Sequence, residues 1–289
     1  MGRHISRALL DDDHEVTVLS RTPAKVSRIE ALTGANATRG DVTERESLTG
    51  TLEGADAVVM AVQFPNHPIE VPRKGLTYDR YDRQGTVNLL AEAQRAGGVR
   101  FLYVSGASAN PASEKTWYRA KGLAERAIVN SGLEHVIVRP SWAYGPGDRA
   151  LNRFAAIARL SPVIPQPGAS PQRIQPIYAG DVGSVFARIV ERGAYGGVFE
   201  IGSREVMTMN EVVRTLVEVM DKKRLIVPVP KSLVKLATAP LVALPNPPMS
   251  PAGVDFATQD GLVDISRAVR ELDFDPLSLR EGLERYIRP

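Results

Sequence analysis

Four short apolar runs, separated by stretches with helical signals, constrain this chain more than any other feature of its 289 residues. They are Glu15 to Ser20, Ala57 to Val62, Arg100 to Ser105 and His135 to Arg139, each rich in Val, Ile, Leu or Tyr. Strands that read as continuous apolar segments are buried on both faces, and strands that alternate with helices are joined by crossovers. The spacing therefore predicts a parallel sheet with helices on both sides, a doubly wound α/β architecture. A long helix is expected from about Tyr78 to Ala96. Thr43 with Glu46, Thr208 with Glu211 and Ser278 with Glu281 each have the three-residue spacing of a capping box, in which the two side chains satisfy each other's free backbone N–H groups.

After about residue 150 the texture changes, with Pro and Gly frequent from Ser161 to Pro171 and from Pro240 to Gly253. The expected organisation is a Rossmann-type domain over residues 1–149 and a smaller, mainly helical lobe over 150–289, some of whose segments return to the first core. A Rossmann sheet opens with a strand, a glycine-rich turn and a helix whose N–H groups hold a pyrophosphate. Here the chain starts with Gly2-Arg3-His4-Ile5-Ser6-Arg7-Ala8-Leu9-Leu10, and Ile5, Ala8 and Leu9 have the spacing of one buried helix face. Gly2 reads as the last glycine of that fingerprint. The first strand and the two earlier glycines are then expected upstream of residue 1, a chain without them should hold a dinucleotide weakly, and an open reading frame should continue upstream. The alternative is that Gly2 is simply a flexible terminal residue.

The chain has no cysteine, which excludes disulfides, thiolate metal sites and cysteine nucleophiles, and makes a reducing, cytoplasmic setting the expectation. A net charge of +3 and a pI near 9.1 are mildly basic. Lys/Arg and Asp/Glu read as interleaved rather than gathered into a patch, so no nucleic-acid partner is expected. The longest apolar run, Ala57 to Val62, falls far short of the roughly 20 residues of a membrane span. His4, His14, His67 and His135 show no metal-ligand spacing, so no metal is expected, and there is no G-x-S-x-G elbow of a hydrolase.

Later motifs are specific enough to indicate a family. Arg139-Pro140-Ser141-Trp142-Ala143-Tyr144-Gly145-Pro146-Gly147-Asp148 resembles a stretch of the extended and atypical short-chain dehydrogenases. Gly40-Asp41-Val42 resembles the family's adenine-contacting turn, and Gln175-Pro176-Ile177-Tyr178 through Asp181-Val182 resembles a segment of its substrate lobe. The likeness spans nearly the whole chain. It is closest to the branch of the nucleotide-binding accessory subunit of respiratory complex I, and more distant from the NmrA-like proteins.

This resemblance implies an NAD(P)(H) cofactor and a binding set of Gly2, Arg3, Ser20, Arg21, Lys25, Asp41, Val42, Ala61, Val62, Lys121 and Pro140. Where NAD enzymes place a carboxylate for the ribose hydroxyls, this chain has Ser20-Arg21, with Lys25 one turn further on. A hydroxyl and a guanidinium suit a 2′-phosphate, so NADP(H) is favoured over NAD(H).

Short-chain dehydrogenases place a tyrosine four residues before a lysine, so that the ammonium lowers the phenol's pKa. Lys121 fits the lysine, but Trp117 stands at the tyrosine position and Tyr118 lies one residue closer. Lys121, Tyr118 and Ser108 are the candidate catalytic set, with Ser105 as an alternative hydroxyl. An indole cannot exchange a proton near neutral pH as a phenol can. Two functions stay open: an oxidoreductase or epimerase acting on a small carbonyl or sugar-like substrate, and a non-catalytic nucleotide-binding accessory or sensor protein. The loop from Gln63 to Thr77, with Arg73 and Lys74, is a candidate pocket for an acidic group. Leu233, Val234, Leu236, Leu241, Val242 and Leu244 form an apolar cluster that either packs on its own lobe or docks a partner or a membrane face.

Overall fold

The computed structural model describes residues 1–148, 150–168, 172–240, 251, 254–255 and 258–288. The chain opens with helix α1 (Gly2–Asp11) and strands β1 (Thr17–Ser20), β2 (Asn36–Arg39) and β3 (Ala57–Met60). Helix α2 (Gly85–Ala96), β4 (Arg100–Val104), α3 (Thr116–Val129), β5 (His135–Pro140) and β6 (Ala143–Tyr144) follow. The second half comprises α4 (Leu151–Leu160), β7 (Val163–Pro167), β8 (Arg173–Ile174), β9 (Ile177–Tyr178), α5 (Ala179–Arg192), β10 (Val198–Ile201), β11 (Met207–Thr208), α6 (Met209–Val219), β12 (Leu225–Val229) and α7 (Lys231–Thr238). Helices α8 (Ser266–Leu272) and α9 (Leu279–Glu284) come last.

The core is a parallel sheet in two pieces. β3, β4, β5 and β10 form one, in the order β10-β5-β4-β3, and β1 pairs in parallel with β2 to form the other. Alternation along β3 sends Ala57 and Val59 to one side, onto the cluster of Val104, Val138, Phe186 and Ile5, and Val58 and Met60 to the other, onto Leu89, Phe101 and Ile128. This is the expected doubly wound α/β arrangement. Among the described residues, the edge of β1 away from β2 and the edge of β3 away from β4 have no strand partner.

Helix α1 is laid against α5, with Ile5 buried and Leu9 packed on the same core. Their approach depends on Gly183: a Cβ there would lie 2.5 Å from the carbonyl oxygen of His4. Both α5 and β10 therefore serve the first core although they come from the second half of the chain. The remaining lobe has a separate core in which Leu151, Ala155, Ile164, Val212, Leu216 and Leu283 pack together. It contains short strands as well as helices, including the parallel β7–β12 pair and the antiparallel β8–β11 pair. No helix among the described residues is long and apolar enough to cross a membrane.

The helix expected from Tyr78 to Ala96 forms over that span, with Asp79–Gln84 as a π-helical turn before α2 begins at Gly85. Two other local expectations are corrected. Thr43 and Glu46 make no capping box, because the Asp41 carboxylate takes both the Thr43 N–H (2.9 Å) and the Thr43 hydroxyl (2.8 Å), and a 3-10 turn starts instead at Arg45. The boxes at Thr208 with Glu211 and at Ser278 with Glu281 both form. Lastly, charge is not interleaved throughout. Arg149 to Gly180 and Lys222 to Val254 contain no Asp or Glu, and the fold brings these distant stretches together by pairing β7 with β12.

Candidate active site and nucleotide cavity

β1 is parallel to β2 in one piece of the sheet and β3 to β4 in the other, and the carboxyl ends of β1, β2 and β3 meet at one edge of the fold, where α/β sheets bind ligands. A cavity of about 220 Å³ lies at these ends. Leu19, Ser20 and Arg21 enter from β1, Gly40, Asp41 and Val42 from β2, and Val62, Gln63 and Pro65 from the segment after β3, with Tyr81 closing one side. Five of the residues expected to hold a nucleotide (Ser20, Arg21, Asp41, Val42 and Val62) thus share one wall.

Local bonding fixes this wall. The Asp41 carboxylate is held by Thr43, and the Asp41 N–H donates to Ser47 Oγ at 2.9 Å. Ser20 Oγ accepts from the Thr22 N–H at 3.1 Å. Arg21 reaches to 3.9 Å from Asp41 and is 62 % exposed, so its guanidinium remains open to a further anionic partner. Val42 is buried and packs with Leu48 and Leu52, which anchors the turn from below.

The start of α1 meets the same edge of the sheet. A Cβ on Gly2 would sit 3.6 Å from that of Ala61, the residue after β3, so the helix N-terminus lies beside the carboxyl end of that strand. No side chain caps this terminus and no acidic residue occupies its first turn. Such an end favours an anion. Arg3 turns away to donate to the carbonyl of Pro146, which ties α1 to the Gly145-Pro146-Gly147 turn. Burial, with the terminal amine and Arg3 adding to it, pushes the His4 imidazole down to about 4. Lys25 lies in the 3-10 segment Pro23–Arg28 and does not line the cavity. Pro140 ends β5 and accepts from the Ala107 N–H at 3.0 Å.

The expected catalytic residues have different surroundings. Lys121 is 4 % exposed, and its ammonium lies 2.9 Å from Asp82 and donates to the Val104 carbonyl at 3.0 Å. It also sits over the Tyr103 ring, 4.9 Å from the centroid. Burial alone would lower the lysine's pKa, but the Asp82 carboxylate and Tyr103 outweigh it and the net shift is upward. Burial, against the pull of Lys121, pushes Tyr103 up to about 12.

Tyr118 instead stacks obliquely on Trp117, with ring centroids 4.8 Å apart, and the Lys115 ammonium lies 5.6 Å from its ring. Burial and Asp260 push its phenol upward. Trp117 covers Gly106, where a Cβ would come within 2.8 Å of the indole. Ser108 is exposed, with a φ of +64°. Ser105 is buried and donates to Glu125 at 2.5 Å, and Glu125 in turn accepts from Arg139 at 2.6 and 2.9 Å. Lys121 and Tyr118 are therefore near in sequence but engaged with separate sets of partners, and Ser108 lies exposed on its turn. Arg73 and Lys74, on an exposed 3-10 turn, do not line the cavity either.

Asp82, Tyr103 and Glu125 were not among the expected site residues. The signal for two of them was in the helix pattern: Asp82 stands four residues before Thr86 on a stripe that runs inward, and Glu125 stands four after Lys121. An acid on an apolar stripe is rarely buried without a cationic partner.

The NAD(P)H-binding family model matches residues 1–155. Subunit 9 of the mitochondrial NADH dehydrogenase [ubiquinone] 1 alpha subcomplex from Arabidopsis thaliana is 25% identical over 253 residues, covering 83% of this chain and 62% of that protein. The chain thus spans less than two thirds of that relative's length. A ceramide reductase from Caulobacter vibrioides is 27% identical over 239 residues, covering 80% of this chain and 70% of the relative. Among solved structures, the NADPH-dependent quinone oxidoreductase of Escherichia coli in complex with NADPH shares the fold with a TM-score of 0.71 at 18% identity, over 98% of this chain and 95% of that one. The UDP-glucose 4-epimerase of Thermotoga maritima does so with a TM-score of 0.73 at 18% identity, over 98% and 93%. With the family match covering more than half of its residues, the chain belongs to the NAD(P)H-binding family, and its sequence is similar to those of accessory subunits of mitochondrial NADH dehydrogenase.

Proposed function

We propose that the cavity at the ends of β1, β2 and β3 receives the adenosine half of NADP(H), and that the chain serves as a nucleotide-binding accessory or sensor protein. The observation that carries this reading is the convergence of Ser20, Arg21, Asp41, Val42 and Val62 on one cavity wall. In it, the Ser20 hydroxyl and the Arg21 guanidinium take the 2′-phosphate, where a carboxylate would repel it. The Asp41 carboxylate accepts from the adenine amino group, and Val42 and Val62 supply apolar contact. The uncapped start of α1 faces the pyrophosphate. When bound, the nucleotide would supply hydride chemistry. The chain's own proton-transfer groups are poorly placed to assist it, since Trp117 replaces the phenol and Lys121 is committed to Asp82. The relation to complex I subunits supports an accessory role, whereas the relation to a ceramide reductase favours turnover on a carbonyl.

Calorimetric titration with NADPH, NADH and 2′,5′-ADP tests the nucleotide assignment. NADPH and 2′,5′-ADP should bind more tightly than NADH, and Arg21→Ala should weaken both by about tenfold or more while leaving NADH nearly unchanged. Equal affinity for NADH and NADPH in the native chain would overturn the 2′-phosphate assignment. NADPH turnover on a panel of carbonyls, lost in Tyr118→Phe, would overturn the non-catalytic reading and assign that phenol a role.

A further inference from the structure

A second surface stands out on the small lobe and uses none of the nucleotide-cavity residues. The stretches Arg149 to Gly180 and Lys222 to Val254 hold nine of the 36 Lys and Arg and none of the 33 Asp and Glu, so the rest of the chain has 27 cations against 33 acids. In a chain of net charge +3 these two stretches together therefore carry +9, and the rest of the chain carries −6. Pairing of β7 with β12 joins the two stretches.

The β7–β12 ribbon has an inner and an outer face. Ile164 and Gln166 are buried, while Val163 and Pro165, one position out of phase with them, are exposed. In register beside Val163 and Pro165 stand Leu225 and Val227, so the outer face is apolar throughout. Leu225 is 64 % exposed, and Leu160, at the end of α4 just before β7, is 89 % exposed. Arg159, Lys222, Lys223 and Arg224 border this face in sequence, and none of the four is ion-paired with a described residue. Arg224 instead donates to the carbonyls of Ala158 and Lys223, which pins the β12 entry to the end of α4. After β12, α7 repeats the inversion: Leu233 and Leu236, three apart on one side of the helix, are 57 % and 73 % exposed. Leu241, Val242 and Leu244, expected in the same cluster, lie outside the described residues.

Exposed leucines bordered by Arg159, Lys222, Lys223 and Arg224, with Asp221 at the edge of the patch and Lys235 of α7 paired with Asp255 at 2.6 Å, match the surface of an anionic bilayer, where apolar side chains enter the headgroup boundary and basic ones meet lipid phosphates. A nucleic acid would use the cations but not the leucines, and among the described residues no aromatic ring is exposed here on which bases could stack. We propose that the β7–β12 ribbon and α7 are a docking face for an anionic lipid surface, which holds this lobe at a membrane without spanning it.

Flotation of the whole chain with vesicles tests this, using phosphatidylcholine alone and phosphatidylcholine with phosphatidylglycerol at three to one. The chain should float with the anionic vesicles only, and raised salt should release it. Lys222→Glu with Lys223→Glu should weaken partitioning by at least about fivefold per residue. Leu225→Glu should abolish it, and Leu225→Ser should lower it severalfold with the melting temperature unchanged. Val129→Glu, at an exposed valine on α3, should have no effect. The proposal fails if neutral and anionic vesicles bind equally or not at all, or if Val129→Glu is as damaging as Leu225→Glu. It fails too if single-stranded RNA competes the chain off the vesicles, or if sedimentation shows a dimer, broken by Leu225→Glu, that binds no vesicle.

Discussion

At the scale of single residues, the buried pair of Lys121 and Asp82 determines what the expected catalytic position can do. The lysine is 5 % and the aspartate 0 % exposed by side chain, so each leaves the other with an uncompensated charge if removed. Asp82→Ala should destabilise the fold by about 3–5 kcal/mol in urea titration, and Asp82→Leu combined with Lys121→Met should recover most of that loss. If Asp82→Ala instead cost nothing, the ammonium would be free to move to a nucleotide. Asp181 offers a pH test in the other lobe. Its carboxyl accepts from the Leu277 N–H at 3.0 Å, and burial, against that bond and Arg285, raises it from 3.8 to about 6. A raised acid binds its proton more tightly folded than unfolded, so the native chain loses stability as pH rises from about 4 through about 6. Asp181→Asn removes that loss. The variant should match the native chain at about pH 4 and exceed it by about 1–2 kcal/mol at about pH 8, read from urea midpoints. The cavity residues Ser20 and Arg21 were legible because Ser20 closes and Arg21 follows an apolar run at a strand's carboxyl end. Asp41 and Val42 were read instead from the likeness of Gly40-Asp41-Val42 to a family turn, since β2 (Asn36–Arg39) is polar and was not among the strand-like runs. The partners of Lys121 were not legible, because i, i+4 spacing gives a helix face but not which strand or helix that face meets.

At the scale of elements, the same local signal succeeds or fails according to what competes for it. Thr208 and Ser278 face no rival acceptor and cap their helices, whereas Thr43 is two residues from Asp41 and its donors go there. Short side chains bond to the nearest backbone or carboxylate, and sequence spacing alone does not rank these partners. The contact between α1 and α5 was equally hidden, although the apolar face of α1 was read from Ile5, Ala8 and Leu9. Its cost is concentrated at Gly183, where a methyl group would meet the His4 backbone and could be accommodated only by separating the helices. Gly183→Ala should therefore destabilise by about 1–3 kcal/mol even though alanine has the better helix propensity. Gly193→Ala, on the same helix cap with nothing near its added methyl but a φ of +60°, separates this steric effect from backbone strain. If calorimetric unfolding showed Gly183→Ala to be neutral or stabilising, close docking of α1 on α5 would be overturned.

At the scale of the whole molecule, the division of the sheet gives the two halves of the cavity unequal support. β4 and β5 are almost wholly buried, whereas β1 and β2 are mostly exposed or half-buried and pair only with each other. Local opening follows the density of buried contacts, so the β1–β2 pair should open far below the free energy of global unfolding. Amide exchange should then be fast at Val18, Leu19 and Ala37 and slow at Leu102, Tyr103 and Ile137. The cavity joins these regions, since its wall takes Ser20 and Arg21 from β1, Asp41 and Val42 from β2, and Val62 from beyond β3. A ligand bound there spans the two pieces and stabilises the form in which both are docked. At 100 times its Kd, NADPH should add about 2.7 kcal/mol to every opening that destroys the site. For β1 and β2 that is a large fraction of a small opening free energy, so their exchange should slow about a hundredfold. Strands β4 and β5, which already open only by global unfolding, should slow by the same factor only if global unfolding is reversible and limits their exchange. Slowing of β1 and β2 by NADPH but not by NADH, lost in Arg21→Ala, would link the 2′-phosphate to the docking of the weaker sheet. Uniform slowing by both nucleotides would place the binding energy elsewhere, and no slowing would mean that the cavity wall is not where the nucleotide sits.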